Sequence, residues 1–383
     1  MLGPFSIDTY IPAFSGIAAA LNASPTEMQQ TLSAYLFGYA FMCLFHGAIS
    51  DSLGRRVVVL WGLAAFTLAS AGCALSGTIE QLIFFRILQG LSTGAGIVVS
   101  RAVVRDMFAP SQAQKVMSQI TLFFGLAPAV APLIGGWLFV QFNWQTVFWL
   151  LFAIGGCLFV GNYKFLPETL NAGDRQPLNV KNLMNGYWTL GSDPRFALLA
   201  LASGIPFNGM FLYIMSAPVF LGVHLGLEPQ QFFWLFVLTI SGIMVGAWFS
   251  GRLAGKMTPN RQIRLGFVVM LTISIVNVAV NSLVSPNAWW AMLPIAIYST
   301  GWALMMPVIT LLVLDLYPSR RGMASSLQAF VMALVNGVVA GVVAPFVMYR
   351  YISLSLASLL ILLLGLLCWV ILRTRCPNLG GQG

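Results

Sequence analysis

Helix-length apolar runs recur along almost the whole chain, and the charged residues fall in short clusters between them. This pattern constrains the fold more than any other feature. A helix needs about 20 apolar residues to cross a bilayer. Lipid also requires each spanning segment to satisfy its own backbone hydrogen bonds, as only helices and closed barrels do. Barrel strands would show alternating segments of about ten residues, and the runs here are longer. Charged residues make up 8% of the sequence and hydrophobic ones 58%, against about 25% charged in soluble domains. The chain reads as an all-α polytopic membrane protein.

Twelve runs are expected, at 1–20, 30–50, 57–76, 79–105, 112–140, 145–165, 196–221, 230–256, 262–284, 288–315, 321–347 and 353–374. The first is short, so roughly ten residues of a full first helix (about 20 residues) are expected to be missing from it. The one long polar stretch, 166–195, divides six runs from six. Residues 1–165 are therefore read as one six-helix bundle, 166–195 as a cytoplasmic linker, and 196–383 as a second bundle with a short cytoplasmic tail. Placing the 47–56 loop in the cytoplasm puts 17 of the 19 Lys and Arg on that side; only Arg86 and Arg350 differ. By the positive-inside rule both termini are cytoplasmic. The net charge of +9 is thus a topology signal, with no nucleic-acid partner implied. The five cysteines form no C-x-x-C, and His46 and His224 are isolated, so neither disulfides nor a metal site is indicated. Without a Walker A motif, ATP does not drive the protein directly.

The first run and the fourth each contain a charge. Asp8 lies in Pro4-Phe5-Ser6-Ile7-Asp8-Thr9-Tyr10-Ile11-Pro12, and an ion there costs at least ~2.5–3.5 kcal/mol even on lenient insertion scales. It is either a functional site with a buried partner or a carboxylate reaching a headgroup region. Arg86, in Arg86-Ile-Leu-Gln89-Gly90-Leu-Ser-Thr-Gly94, cannot shed its proton. It is either paired inside the membrane, with Asp8 as its partner, or extended to the outer surface. Between the second and third runs stands Gly47-Ala-Ile-Ser-Asp51-Ser-Leu-Gly54-Arg55-Arg56. Gly47 and Gly54 permit a close helix approach and a tight turn. Asp51 can accept from helix N-termini, and Arg55 and Arg56 are expected at the anionic leaflet.

This loop resembles the signature G-x-x-x-D-x-x-G-R-[RK] of the major facilitator superfamily, with Ser52 in place of the usual basic residue after the aspartate. The segment around Arg86 resembles that family's second motif, and Gly125-Leu-Ala-Pro128-Ala-Val-Ala-Pro132-Leu-Ile-Gly135-Gly136 is similar to the G-P-x-x-G-G signature of drug:proton antiporters, with Ala131 replacing a glycine. The opening stretch, Asn143-Trp144-Gln145, Pro167-Glu168-Thr169-Leu170 and Ala202-Ser203-Gly204 through Phe207-Asn208-Gly209-Met210-Phe211 resemble the bicyclomycin/chloramphenicol-resistance branch of those antiporters. The resemblance covers essentially the whole chain. It implies the major facilitator fold, two six-helix bundles around a central cavity. It also implies proton coupling by Asp8 and Arg86, and gating by Gly47, Asp51, Gly54, Arg55, Arg56, Gly90, Pro128, Pro132, Gly135 and Gly136.

Tyr35 and Tyr39, and Phe207 and Phe211, are i, i+4 pairs that share a helix face. Such faces meet lipid or a neighbouring helix, or else line a broad-specificity cavity; on the second reading they join Tyr10 and Asn208 as substrate contacts. The expected protein is a monomeric, proton-driven exporter of small amphiphilic drugs in a bacterial inner membrane, using the proton gradient and no cofactor. The alternative is a proton-coupled exporter or symporter of one metabolite. No convergent nucleophile, base or metal set supports an enzyme.

Overall fold

Breaks between helices fall where the local chemistry requires them. The computed structural model describes residues 2–177, 179–227, 233–284 and 287–376, and among these every regular element is helical. The first run is broken into α1 (Leu2–Asp8), a 3₁₀ turn (Ile11–Ala13) and α2 (Phe14–Leu21). Pro12 explains the break: a proline ring clashes with the carbonyl four residues back and has no N–H to offer it. That carbonyl belongs to Asp8, where α1 stops. Asn22 ends α2 in the left-handed conformation (φ 50°), which asparagine tolerates. Ser24 and Glu27 then form a reciprocal capping box at the start of α3 (Pro25–Leu53).

There follow α4 (Arg55–Ala74), α5 (Ile79–Met107), α6 (Pro110–Gln141) and α7 (Gln145–Phe165). After the linker come α9 (Pro194–Met215), α10 (Phe233–Leu253), α11 (Pro259–Leu283), α12 (Ala288–Leu316), α13 (Arg321–Val338), α14 (Ala344–Val347) and α15 (Tyr351–Arg375). Nine of these helices are long and apolar enough to cross a membrane among the described residues. The other three runs correspond to the broken first segment, to α6, and to α13 with α14. A wide turn at Val339–Val343 joins α13 to α14, just ahead of Pro345, whose missing N–H frees a carbonyl in the preceding turn.

Within the 166–195 stretch lies the helix α8 (Val180–Gly191). Its Leu190 is buried and Gly186 lies against Met323, while Met184 and Trp188 are exposed. One face packs on protein, and polarity counts over 30 residues hide a two-faced 12-residue helix.

The chain forms two compact units. Unit one comprises Met1–Met107, Ala127–Tyr187 and Tyr317–Phe330; its core gathers Tyr10, Ile17, Phe66, Leu82, Phe148 and Leu151. Unit two comprises Phe108–Leu126, Trp188–Leu316 and Val331–Gly383, with α12 packed against α9, α10 and α11. Each unit thus takes the first turns of one helix, α6 or α13, from the other half of the sequence.

Candidate functional site

Asp8 occupies the last position of α1, at the break that Pro12 imposes, and is half-buried. Among the described residues it makes neither an ion pair nor a hydrogen bond. Gly135 of α6 receives the broken stretch: a methyl there would overlap the Thr9 carbonyl, and one on Gly136 would touch Pro12. Pro132 is half-buried one turn earlier, whereas the side chain of Pro128 lies outside the described residues. The double glycine therefore seats the interrupted first segment.

Arg86 of α5 is fully buried. Its Nη1 donates to Gln89 Oε1 at 2.9 Å and to the Ser6 carbonyl at 3.4 Å. Its guanidinium carbon lies 4.5 Å from the Tyr10 ring centre and 4.4 Å from that of Tyr35. A planar, weakly hydrated cation suits such a sandwich. Tyr10 and Tyr35 are themselves pinned: Tyr10 hydroxyl bonds Thr31, and Tyr35 hydroxyl lies 2.8 Å from Ser6 Oγ and 3.2 Å from Thr93 Oγ1. Gln89 passes the network to Ser70 at 2.8 Å. Arg86 Nε and Nη2 have no hydrogen-bond partner among the described residues.

An Arg86–Asp8 ion pair, expected from the two intramembrane charges, is not present among the described residues. Helix geometry gives the reason. Within α1 the Ser6 side chain turns to Tyr35, which stacks on Arg86, and residues two apart on a helix do not share a face, so Asp8 looks elsewhere. Gly90 completes the neighbourhood by lying directly under the Tyr35 backbone.

A second constellation joins α3, α4 and α5 to the start of α13, within unit one. Gly54 adopts φ 105°, ψ 152°, a region essentially reserved for glycine, and turns α3 straight into α4. Asp51 accepts from the backbone N–H groups of Gly322 (3.1 Å) and Met323 (2.8 Å). A carboxylate at a helix N-terminus meets both free donors and the positive end of the dipole. Arg55 pairs with Asp51 and, through Nε, with Asp106 at 3.2 Å; Arg321 reaches Asp106 at 2.8 Å. Arg55 backbone N–H donates to Glu168 at 2.9 Å. Gly47 approaches Gly322 so closely that a methyl would overlap its carbonyl.

Arg55 is therefore 1% exposed and does not face the leaflet, contrary to the expectation above. Ser50 and two carboxylates supply enough acceptors to hold the guanidinium inside. Arg56 instead donates to the Tyr163 carbonyl at 2.7 Å and covers the Tyr163 ring.

In unit two, Phe207 and Phe211 are half-buried and stack at 5.4 Å, and Phe207 also meets Trp302 at 5.0 Å. Asn208 is fully buried and donates to Asn336 at 2.9 Å. Of the aromatic residues proposed as substrate contacts, Tyr10 and Tyr35 are enclosed in this conformation, while Tyr39, Phe207 and Phe211 keep open surface. A cavity of about 10 Å³ beside Tyr213, Asn277 and Tyr298 has room for one water at most.

Several working residues were not singled out from sequence. Asp106, Gln89, Gln114 and Gln262 belong to this group. Gln89 carried a signal: it lies three residues from Arg86 on one helix face. Gln114 and Gln262, buried and bonded to each other at 2.9 Å, carried none.

Residues 1–340 match the model of the Major Facilitator Superfamily. The chain is 28% identical over 388 residues to a bicyclomycin resistance protein homolog of Haemophilus influenzae, covering 100% of this chain and 96% of the relative. It is 29% identical over 391 residues to multidrug resistance protein D of Escherichia coli, covering 99% and 95%. Its fold superposes on the proton:xylose symporter XylE with a TM-score of 0.74 at 11% identity, covering 97% of this chain and 92% of that one.

Proposed function

Since the chain belongs to the Major Facilitator Superfamily and is a multi-pass membrane transporter rather than an enzyme, we propose that it expels small amphiphilic drugs across a bacterial inner membrane in exchange for protons. The resistance proteins it resembles support the export direction. The observation that carries the proton half is Asp8: a half-buried carboxylate with no ion pair or hydrogen bond among the described residues, set at a helix break. A carboxylate so placed is free to bind and release a proton, and interrupted membrane helices are where transporters hold coupling ions.

Arg86 takes the complementary role. It keeps its charge in every state, and its tyrosine sandwich and Gln89 bond hold that charge in the core of the same unit. Protonation of Asp8 then changes the charge of this region from neutral to positive, which solute binding can exploit. Closure on the side of the basic loops, the cytoplasmic side in this reading, falls to Asp51, Arg55, Asp106 and Arg321. The basic loops and both termini face the cytoplasm, and the single chain works as a monomer with no cofactor.

The test uses vesicles holding the purified protein with an imposed pH gradient and a chloramphenicol-type solute. Wild type should accumulate the solute against its gradient and lose this with an uncoupler. Asp8→Asn should reduce uphill movement to background while downhill exchange continues. Uphill transport at the wild-type level in that variant would reject proton coupling through Asp8.

A further inference from the structure

Arg101 of unit one has no place in either constellation. Arg101 lies on α5, between the level of Arg86 and the Asp106 cluster. It is half-buried, and its Nη1 is enclosed without a hydrogen-bond partner. No ion pair among the described residues includes it. The acidic residues within reach of its helix end are already engaged: Asp106 with Arg55 and Arg321, and Asp51 with Arg55 and the start of α13. Its electrostatic neighbours are Tyr39 and Cys43, one turn apart on α3 and hydrogen-bonded to each other. Beside it α5 presents an open stripe. Gly96 is exposed with nothing within 4 Å of an added methyl, and Ile97 and Ser100 are partly exposed.

We propose that Arg101 and the Tyr39 hydroxyl receive an anionic group (carboxylate, sulfonate or phenolate) of the transported solute, so that the preferred substrates are aromatic weak acids and zwitterions and not lipophilic cations. This rests on the export reading for the statement that a solute enters here. The chemistry is direct. A guanidinium partly enclosed in protein without a counter-ion is unfavourable, and its planar fork of donors matches an oxyanion. The Tyr39 ring offers an aromatic face beside it, and the open stripe at Gly96 leaves room for the solute's body. A cationic solute meets like charge at the same place.

The experiment compares fluorescein, an aromatic anion, with ethidium, an aromatic cation, in phosphatidylcholine vesicles under a pH gradient. Wild type should move fluorescein faster than ethidium. Arg101→Gln should lower the fluorescein-to-ethidium ratio by about 10- to 100-fold, the loss expected for a hydrogen bond to a charged group, and Arg101→Lys should recover part of it. An equal loss of both dyes, or a wild type that favours ethidium, overturns the substrate class and leaves export standing. Movement of neither dye overturns the export reading together with this one. Repeating the assay with phosphatidylglycerol present distinguishes lipid from solute: selectivity that exists only with anionic lipid assigns Arg101 to lipid phosphates and overturns the proposal. Should the glutamine variant fail to fold, thermal melting of the wild type decides. Fluorescein should raise the melting temperature more than ethidium does, and the reverse order counts against the site.

Discussion

In unit one, Asp51, Arg55, Asp106 and Arg321 meet where α3, α4 and α5 receive the start of α13. In unit two, Gln114 from the start of α6 bonds the Ser250 carbonyl at 3.0 Å and Gln262 at 2.9 Å, and Gln262 bonds Ser250 Oγ at 2.8 Å and the Leu304 carbonyl at 2.9 Å. The spans that begin with α6 and α13 are the fifth and eleventh, each the fifth run of its half of the chain. Each is fastened near its first turns, one by charges and the other by amides. The unpaired carboxylate, the stacked guanidinium and the ionic cluster all lie in unit one. Repetition of the backbone plan therefore does not require repetition of the chemistry: the start of α13 is fastened in one unit by ionised groups, while the start of α6 is fastened in the other by neutral ones.

The sharpest way to break this contrast is Asp51→Ala. It leaves Arg55 buried beside a lost partner and α13 without its cap, and removal of one member of a buried pair costs about 3–5 kcal/mol. Thermal unfolding should show that loss, and transport should fall with it. Gln262→Leu, the matching change in unit two, leaves Gln114 and Ser250 short of partners and should cost about 1–3 kcal/mol. If the two variants melt alike, the ionic and amide fastenings are energetically equivalent and the contrast is one of chemistry alone. A finer test compares two glycines. Gly47→Ala forces a methyl into the Gly322 carbonyl and should destabilise by about 1–3 kcal/mol. In Gly251→Ala the methyl meets only Ser118 Cβ at 3.5 Å, an ordinary contact. That change should be neutral or stabilise by up to about 1 kcal/mol.

Much of this was legible in the sequence because lipid makes charge conspicuous. An ion deep in an apolar run stands out, so Asp8 and Arg86 were singled out along with the twelve runs, whereas Arg101, near the end of its run, was counted with the loops. Asp51 and Gly54 were equally plain, since a turn of so few residues admits few backbone shapes. Their partner was not. Nothing local to Asp51 says that its carboxylate will cap α13, some 270 residues on. Adjacency was also misjudged where helix phase decides it, as with Asp8 and Arg86, because spacing through a proline break is not a fixed rotation. Gln114 and Gln262 were invisible for the opposite reason: a neutral amide scarcely disturbs hydropathy, and only its position shows that it is bonded on several sides.

Asp51 occupies two of the backbone donors that the first turn of α13 would otherwise leave free. Any motion that withdraws α13 must hand those donors, and two carboxylate oxygens, to water in the same step. Release of this contact is thus a hydration reaction, and its rate should depend on water activity. Excluded osmolytes, which favour dry protein surfaces, should slow the transport cycle at this step even when solute and proton gradients are unchanged.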